Sequence, residues 1–97
     1  RMPPKIAIQI HPRDNVVTLV DAASPGDVAG YVTAAGREEI TLADETPFGH
    51  KVAVEDIAAG QDVIKYDEPI GRASRPIRRG EHVHAHNVES AVQGGAG

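Results

Sequence analysis

The amino-acid sequence predicts an all-β protein built from many short strands. Short apolar or alternating runs recur along the 97 residues, and 10 glycines and 7 prolines separate them. No stretch shows the apolar spacing at i, i+3 and i+4 that is typical of a long helix. Strands this short, with turns this frequent, favour a compact irregular barrel or clip over a regular sandwich.

Four strands are predicted in the first half of the chain, because each run is rich in β-branched residues or alternates between apolar and polar positions. They cover residues 6–10, 16–20, 27–33 and 38–42. Residues that favour turns separate them at 12–15, 24–26 and 34–36.

The second half predicts three further strands, at residues 51–54, 62–66 and 81–87. Residues 46–50 are expected to form a loop, and 56–61 form either one helical turn stopped by Gly60 or a simple turn. In the strand at 62–66, Lys65 and Tyr66 point to opposite faces, with Tyr66 expected in the core. The predicted organisation is an N-terminal extension at 1–4, one domain at 5–89 and a flexible Gly-rich tail at 90–97, with no evident internal repeat.

Composition excludes several classes of function. The core of so small a domain must be aliphatic, because aromatic residues make up only 3%. The absence of cysteine rules out disulfides, thiolate metal sites and a cysteine nucleophile. A net charge of -4 and few aromatic rings disfavour a nucleic-acid partner. No apolar run is long enough to cross a membrane, and no signal peptide is apparent, so a cytoplasmic protein is expected.

Three of the five histidines occur at alternate positions in the stretch 81–87. Alternate residues of a strand share a face, so His82, His84 and His86 are expected to line up opposite Val83 and Ala85. A pair such as His84 and His86 can then chelate one transition-metal ion, since neutral imidazole is a common metal ligand. The alternative interpretation is a solvated polar strand face without a ligand.

Other polar clusters lie at predicted turns, where scaffolds usually present functional groups. In the first, at residues 11–15, His11 or Asp14 contacts a ligand; the alternative is that the side chain of Asp14 or Asn15 simply closes an Asx-turn. In a second cluster, Gly49 allows close backbone approach, so that His50 and Lys51 donate hydrogen bonds to an anion; the alternative is an exposed basic pair. Lys65 faces either solvent or substrate.

No cluster forms a complete catalytic set. The sequence shows no recognisable Ser-His-Asp triad, no glycine-rich phosphate-binding loop and no zinc-protease motif. If this protein takes part in catalysis, another chain is expected to complete the site.

Taken together, five ordered motifs resemble the SAF domain of the altronate/galactarate dehydratase (UxaA) family, over residues 5–89. The motifs are HPRDNV at 11–16, GHKVA at 49–53, IAAG with VIKY at 57–66, PIG at 69–71, and VHAHNV at 83–88. The resemblance implies a SAF-type β-clip fold. It also implies the small subunit of a two-component sugar-acid dehydratase, which eliminates water to give a 2-keto-3-deoxy acid together with a large subunit.

The family resemblance leaves two alternatives open. One is the small subunit of sulfolactate sulfo-lyase, a related enzyme that eliminates sulfite, and the other is a non-catalytic carbohydrate-binding or assembly module. In the enzyme reading the chain is a hydro-lyase subunit, inactive without its large subunit. A divalent metal such as Fe²⁺ is expected to be held mainly by the large subunit or shared with it. Exposed sheet edges also favour self-association.

The motif match implies roles for individual residues. The catalytic candidates are His50, Lys51, His84 and His86, of which His84 and His86 are the metal ligands. The substrate-binding candidates are His11, Asp14, Asn15, Gly49, Lys65 and Asn87, with Asn87 orienting its neighbours.

Two residues depart from the family pattern. Asp67 replaces an expected glycine, and His82 replaces an expected aromatic such as Trp, which adds a third histidine to the group.

Overall fold

The computed structural model describes residues 3–90, and within this range the chain consists of strands, isolated bridges and turns, which confirms the all-β prediction. The strands are β1 (Lys5–Ile8), β2 (Val16–Leu19), β3 (Val28–Thr33), β4 (Gly36–Thr41), β5 (Lys51–Ala53), β6 (Asp62–Lys65), β7 (Glu68–Ala73), β8 (His82–Val83) and β9 (Val88–Glu89). Residues 1–2 of the predicted extension and 91–97 of the predicted tail lie outside the described residues. Within that described range no helix is long and apolar enough to cross a membrane.

Two sheets position the rest of the molecule. Six strands follow the order β4-β3-β1-β2-β5-β8, and three follow the order β6-β7-β9. Only β1 and β3 pair in parallel among the strand pairs described, so the chain must cross from one to the other through β2. Strand β7, absent from the prediction, pairs with β6 through a register irregularity at Val63/Ile64 that brings Pro69 opposite Ile64. Such irregularities are among the few places where a sheet tolerates proline.

The core of the described residues is aliphatic except for Tyr31, in keeping with the low aromatic content. One cluster lies under the six-stranded sheet and contains Ala7, Val17, Leu19, Ala23, Ala29, Tyr31, Ile40, Leu42 and Val52. The second joins the two sheets and contains Val16, Ala53, Ile57, Val63, Ala73, Ile77 and Val83. Neighbouring residues of β2 therefore serve different clusters, because Val16 and Val17 point to opposite faces of the strand.

Four equivalent turns give the chain an internal repeat that was not evident from sequence. They span residues 24–27, 47–50, 58–61 and 78–81, and in each the fourth residue donates its N–H to the carbonyl of the first. The third residue is always glycine with positive φ: 90° at Gly26, 82° at Gly49, 85° at Gly60 and 94° at Gly80. This is the pattern of a type II turn, in which that position favours glycine. Residues 58–61 are thus a simple turn, as one of the two alternatives proposed.

Each turn is fastened to the core in the same way. The glycine N–H donates to the carbonyl of a buried residue, and that residue's N–H donates back to the carbonyl that follows the glycine. The buried residues are Leu42, Leu19, Ala73 and Ala53, in the order of the turns. The residues preceding the turns form bridges in two pairs, Ala23 with Thr46 and Ile57 with Ile77. The turns are therefore rigid parts of the sheets and not loose loops.

The prediction that Tyr66 lies in the core is wrong. Strand β6 ends at Lys65, and Tyr66 and Asp67 form a two-residue hairpin turn with φ values of 58° and 60°. Positive φ at both central residues is characteristic of a type I′ turn, whose twist matches that of the flanking strands. The Tyr66 ring consequently points outward and is 61% exposed.

Candidate functional site

The predicted strand at 81–87 is wrong in its second half. Strand β8 ends at Val83, and His84 to Asn87 form a turn that leads into β9. The cause is Asn87, which is buried. Its side-chain oxygen accepts the His84 N–H at 3.0 Å, and its amide donates to the His82 carbonyl at 2.8 Å. Hydrogen bonds from an asparagine side chain to the nearby backbone take the place of the bonds that strand pairing would need.

His50 reaches the same region because its turn lacks a hydrogen-bond donor. In the other three type II turns, the side chain of the fourth residue accepts the N–H of the first at 2.7–2.9 Å. In the turn 47–50 the first residue is Pro47, which has no N–H. The His50 side chain therefore makes no such bond and lies against the histidines of β8 and the following turn.

Three imidazoles converge there, and we call His50, His82 and His84 the histidine cluster. His50 Nδ1 and His82 Nε2 are 2.9 Å apart. The His50 and His84 rings stack with centroids 4.2 Å apart, and one ring nitrogen of each of the three residues lies within 4.8 Å of the others. The ring contacts described for His86 join it to His82 at 5.1 Å, at the margin of this group.

The surroundings of the histidine cluster disfavour positive charge on it. Partial burial lowers the pKa of His50, and the nearby His84 and Lys51 lower it further. Burial also lowers the pKa of His82, as do its three histidine neighbours, although Asp44 acts in the opposite direction. The Asp44 carboxylate accepts the backbone N–H of His82 at 3.0 Å. Both pKa shifts favour the neutral imidazole, in which one ring nitrogen has a lone pair to offer.

Lys51 lies beside the histidine cluster at the start of β5. Burial lowers the pKa of its ammonium group, and the positive charge of Lys65 adds to that effect. Lys51 and His84 line one open cleft of about 260 Å³, together with Ile70, Ala85, Val88, Glu89 and Ser90. His82 and His86 line a second, more polar cleft of about 270 Å³ with Asp44, Arg75, Pro76, Glu81 and Asn87. Two members of the cluster therefore border surface clefts, His84 the first and His82 the second.

The structure uses Asp14 and Asn15 to hold the chain together. Asp14 is 3% exposed, and its carboxylate accepts three backbone N–H groups, those of His11, Tyr66 and Asp67, at 2.8–3.1 Å. The Asn15 side chain accepts the Ile64 N–H at 2.7 Å and donates to the Asp62 carbonyl. These bonds do not form an Asx-turn, because the Asp14 carboxylate accepts the N–H groups of His11 and of the hairpin turn 66–67 and not the one two residues later. Asp14 is also too buried to contact a substrate.

The remaining predicted site residues lie either near the hairpin turn 66–67 or beside the histidine cluster. His11 lies at the hairpin turn 66–67, where its Nδ1 accepts the Arg13 N–H and is 3.8 Å from the Asp67 carboxylate. Lys65 places its ammonium group 5.2 Å from the centre of the Tyr66 ring. Gly49 and Asn87, by contrast, position the histidine cluster through the backbone.

His82 is absent from the site residues that the motif match implies. In the structure it contacts His50, His84 and His86. The pairing of Val52 with His82 carries this residue to the start of β5, next to His50. Only the strand register, which the sequence does not state, brings together histidines that are 32 residues apart.

Known proteins share this sequence over nearly all of the described range. Residues 5–91 match the family described as the altronate/galactarate dehydratase SAF domain. (2R)-Sulfolactate sulfo-lyase subunit alpha of Chromohalobacter salexigens is 39% identical over 85 residues, which are 84% of this chain and 90% of that protein. Altronate dehydratase of Escherichia coli K12 is 44% identical over 84 residues, covering 86% of this chain and 16% of the enzyme. Galactarate dehydratase (L-threo-forming) of the same organism is 40% identical over 81 residues, covering 84% of this chain and 14% of the enzyme.

These matches confirm the family that the five motifs indicate. The chain spans nearly the whole of a lyase subunit but only a small part of each dehydratase. Strands β1 to β9 all fall inside the matched range. The chain therefore belongs to the altronate/galactarate dehydratase SAF domain family.

Proposed function

We propose that this chain is the small SAF-domain subunit of a two-component sugar-acid dehydratase of the altronate/galactarate type, working with a separate large subunit. The supporting observation is the share of each relative that the chain covers. It matches 90% of a sulfo-lyase subunit alpha, but only 16% and 14% of two dehydratases. The large subunit then supplies the remainder of the catalytic machinery.

The cleft beside the histidine cluster suits an anionic substrate. Lys51 provides a cation there for the substrate carboxylate, beside the apolar side chains of Ile70 and Val88, and the Glu89 carboxylate in the same lining can accept hydrogen bonds from substrate hydroxyl groups. His84 is exposed at the rim of the same cleft, within reach of a bound hydroxyl group. We therefore assign Lys51 to substrate binding and His84 to proton transfer.

The reaction requires three contributions. A base removes the proton from C2, next to the carboxylate; a donor stabilises the enediolate; and an acid protonates the C3 hydroxyl group, which leaves as water. The enol that remains tautomerises to the 2-keto-3-deoxy acid. In this proposal His84 acts on the leaving hydroxyl, Lys51 binds the carboxylate, and the large subunit provides the base.

A divalent metal such as Fe²⁺ would act as a Lewis acid on the departing oxygen. Imidazole is a donor that such ions accept, so the residues of this chain fit a contribution to its binding. The proposal assigns the ion mainly to the large subunit or to a position shared between the two chains.

The test is reconstitution with a large dehydratase subunit, followed by an assay for 2-keto-3-deoxy acid from altronate and galactarate. We expect product only when both chains are present. His84→Ala should lower kcat by about 100-fold or more, the range of a general acid. Lys51→Ala should mainly raise KM, because it removes a carboxylate contact.

Lys5→Ala serves as the control, since Lys5 is outside both clefts and should leave kcat and KM unchanged. Full turnover by the His84→Ala protein would reject the proton-transfer role. Full turnover by the large subunit alone would reject the two-component proposal.

The sulfo-lyase alternative is favoured by one specific observation, the 90% coverage of a sulfo-lyase subunit alpha. In that case elimination from sulfolactate yields pyruvate and sulfite, with the same cleft binding the carboxylate. Release of sulfite when sulfolactate is supplied to the reconstituted enzyme, without a keto-deoxy product from either sugar acid, would decide for this alternative. A non-catalytic assembly module would instead tolerate both the His84→Ala and Lys51→Ala changes.

A further inference from the structure

We propose that His50, His82 and His84 form a three-imidazole binding site for one divalent transition-metal ion, held by this chain on its own. The inference goes beyond the proposed function, which leaves the metal with the large subunit or shared. With an ion bound, His84 would be one of its ligands, and the ion would replace the His84 proton as the acid that assists the leaving hydroxyl group. It also replaces the predicted pair of His84 and His86 by a different set of ligands, since the structure leaves His86 at the margin.

The donor set and its spacing carry the proposal. Three imidazoles suit Zn²⁺, Fe²⁺, Ni²⁺ and Cu²⁺. Metal–nitrogen bonds of about 2.0–2.1 Å in a tetrahedral site place ligand nitrogens roughly 3.3 Å apart. The structure has one nitrogen pair at 2.9 Å and all three within 4.8 Å. Small side-chain rotations therefore bring the three nitrogens to bonding distance, with His84 free to rotate because it is exposed.

The backbone at all three positions is fixed before any ion arrives. Asn87 bonds the backbone of both His82 and His84, so that one buried side chain sets the distance between two ligands. The third ligand follows Gly49, whose turn is fastened to Leu19 by two hydrogen bonds of 2.9 Å. Preorganisation of this kind reduces the conformational entropy that metal binding would otherwise cost.

The site would keep an open side. Three protein ligands with a vacant fourth position are the arrangement of catalytic zinc sites, and His84 borders the cleft lined by Lys51. Lys51 repels a cation, whereas Asp44, near His82, and Glu89, in the cleft, attract one. An ion at the cluster together with Lys51 would present two positive groups to an acid that enters this cleft.

The experiment measures Co²⁺ and Zn²⁺ binding to the purified chain, without a large subunit and without any activity assay. Visible absorption of Co²⁺ reports coordination number and imidazole ligation, and calorimetry gives the Zn²⁺ stoichiometry and dissociation constant. We expect one ion per chain. His84→Ala and His50→Gln should each weaken binding by more than about tenfold, because even the loss of an outer-shell partner costs 10- to 100-fold.

Two variants serve as controls. His11→Ala removes a histidine far from the cluster and should bind as the unchanged chain does. His86→Ala separates the proposed set from the predicted pair, and should change the dissociation constant less than threefold. Circular dichroism in EDTA checks that each variant is folded. No binding at millimolar Co²⁺, or equal losses in the His86→Ala and His84→Ala proteins, would overturn the proposal without bearing on the dehydratase assay.

Discussion

A proton on His50 or His82 adds a positive charge beside other imidazoles that are already partly shielded from water. The structure lowers the pKa of both residues, chiefly through burial and then through their histidine neighbours and, at His50, Lys51. An unfolded histidine has a pKa of about 6.5, so below that value the unfolded chain binds more protons than the folded one. The folded state is therefore stabilised least in acid.

We predict that these two histidines leave the free energy of unfolding unchanged between about pH 7.5 and 8, and that it decreases as the pH falls through 6.5 towards their lowered folded-state pKa values. Urea titrations at pH 7.5 and 5.5, in the absence of metal, measure the difference. The double variant His50→Gln/His82→Gln should show a smaller decrease than the unchanged chain. A flat profile in the unchanged chain would contradict the prediction.

Asp67 offers a second test at the level of one residue. It occupies a φ of 60°, at the position where the family resemblance leads us to expect glycine. Asp67→Gly and Asp67→Ala both remove the carboxylate, which is 3.3 Å from Arg13 Nε in an exposed ion pair of small value. They differ in the strain of a β-carbon at positive φ, which costs about 1–2 kcal/mol.

The glycine variant should therefore be more stable than the alanine variant by about 1 kcal/mol in urea unfolding. Equal stabilities would mean that the hairpin turn changes its conformation when Asp67 is replaced.

Among the elements, the type II turns do most to shape the molecule. Their glycines share similar φ values but have different surroundings. A β-carbon added at Gly80 would lie 2.5 Å from the Thr41 carbonyl oxygen, whereas one at Gly26 would meet nothing within 4 Å. The two positions thus separate backbone strain from steric collision.

We predict that Gly26→Ala costs about 1–2 kcal/mol of stability, the cost of positive φ alone. Gly80→Ala should cost clearly more, because the contact with Thr41 forces the backbone to move. Denaturant unfolding of the two variants provides the comparison. If the two variants are equally stable, the backbone of the turn at 78–81 can move away from Thr41 at little cost, and the prediction is wrong.

The sequence predicted the elements that depend on neighbouring residues, and it missed those that depend on contacts between residues far apart in the chain. Strands such as β3 were anticipated because alternation and turn residues are local signals. The His84 to Asn87 turn was mistaken for strand because the alternation of histidines is also local, while the bonds that Asn87 makes compete with it. The meeting of His50 with His82 depends on the pairing of β5 with β8, and the outward position of Tyr66 depends on Asp14, 52 residues away. Neither long-range contact leaves a pattern in the local sequence.

At the scale of the whole molecule, the six-stranded sheet leaves apolar side chains uncovered. Ile6 lies opposite Gly30 in the parallel pair, and Ile8 and Val32 come two residues further along on the same face. Ile6 is 58% and Val32 69% exposed. Adjacent exposed apolar residues are typical of surfaces that a partner covers. In the two-component proposal, the large subunit covers this apolar strip.

Accordingly, the double variant Ile6→Ser/Val32→Ser should weaken association with the large subunit by about tenfold or more, as expected for residues at the centre of an interface. Its melting temperature should remain close to that of the unchanged chain, because neither residue is in the core. Lys5→Ser, on the opposite face of β1, is the control. Unchanged association in a pull-down titration of the double variant would place the interface elsewhere.

The turn at 47–50 also has a use in protein engineering. In the other three type II turns, the side chain of the fourth residue bonds the N–H of the first. Pro47 has no N–H, so the His50 side chain is free to point elsewhere, while Gly49 and the hydrogen bonds to the core are retained. Ala58→Pro should release Gln61 in the same way, since Ile57 is already extended in its bridge with Ile77. A crystal structure of that variant would show whether Gln61 turns outward. If it does, each turn of this scaffold offers a preset position on which a new functional side chain can be installed.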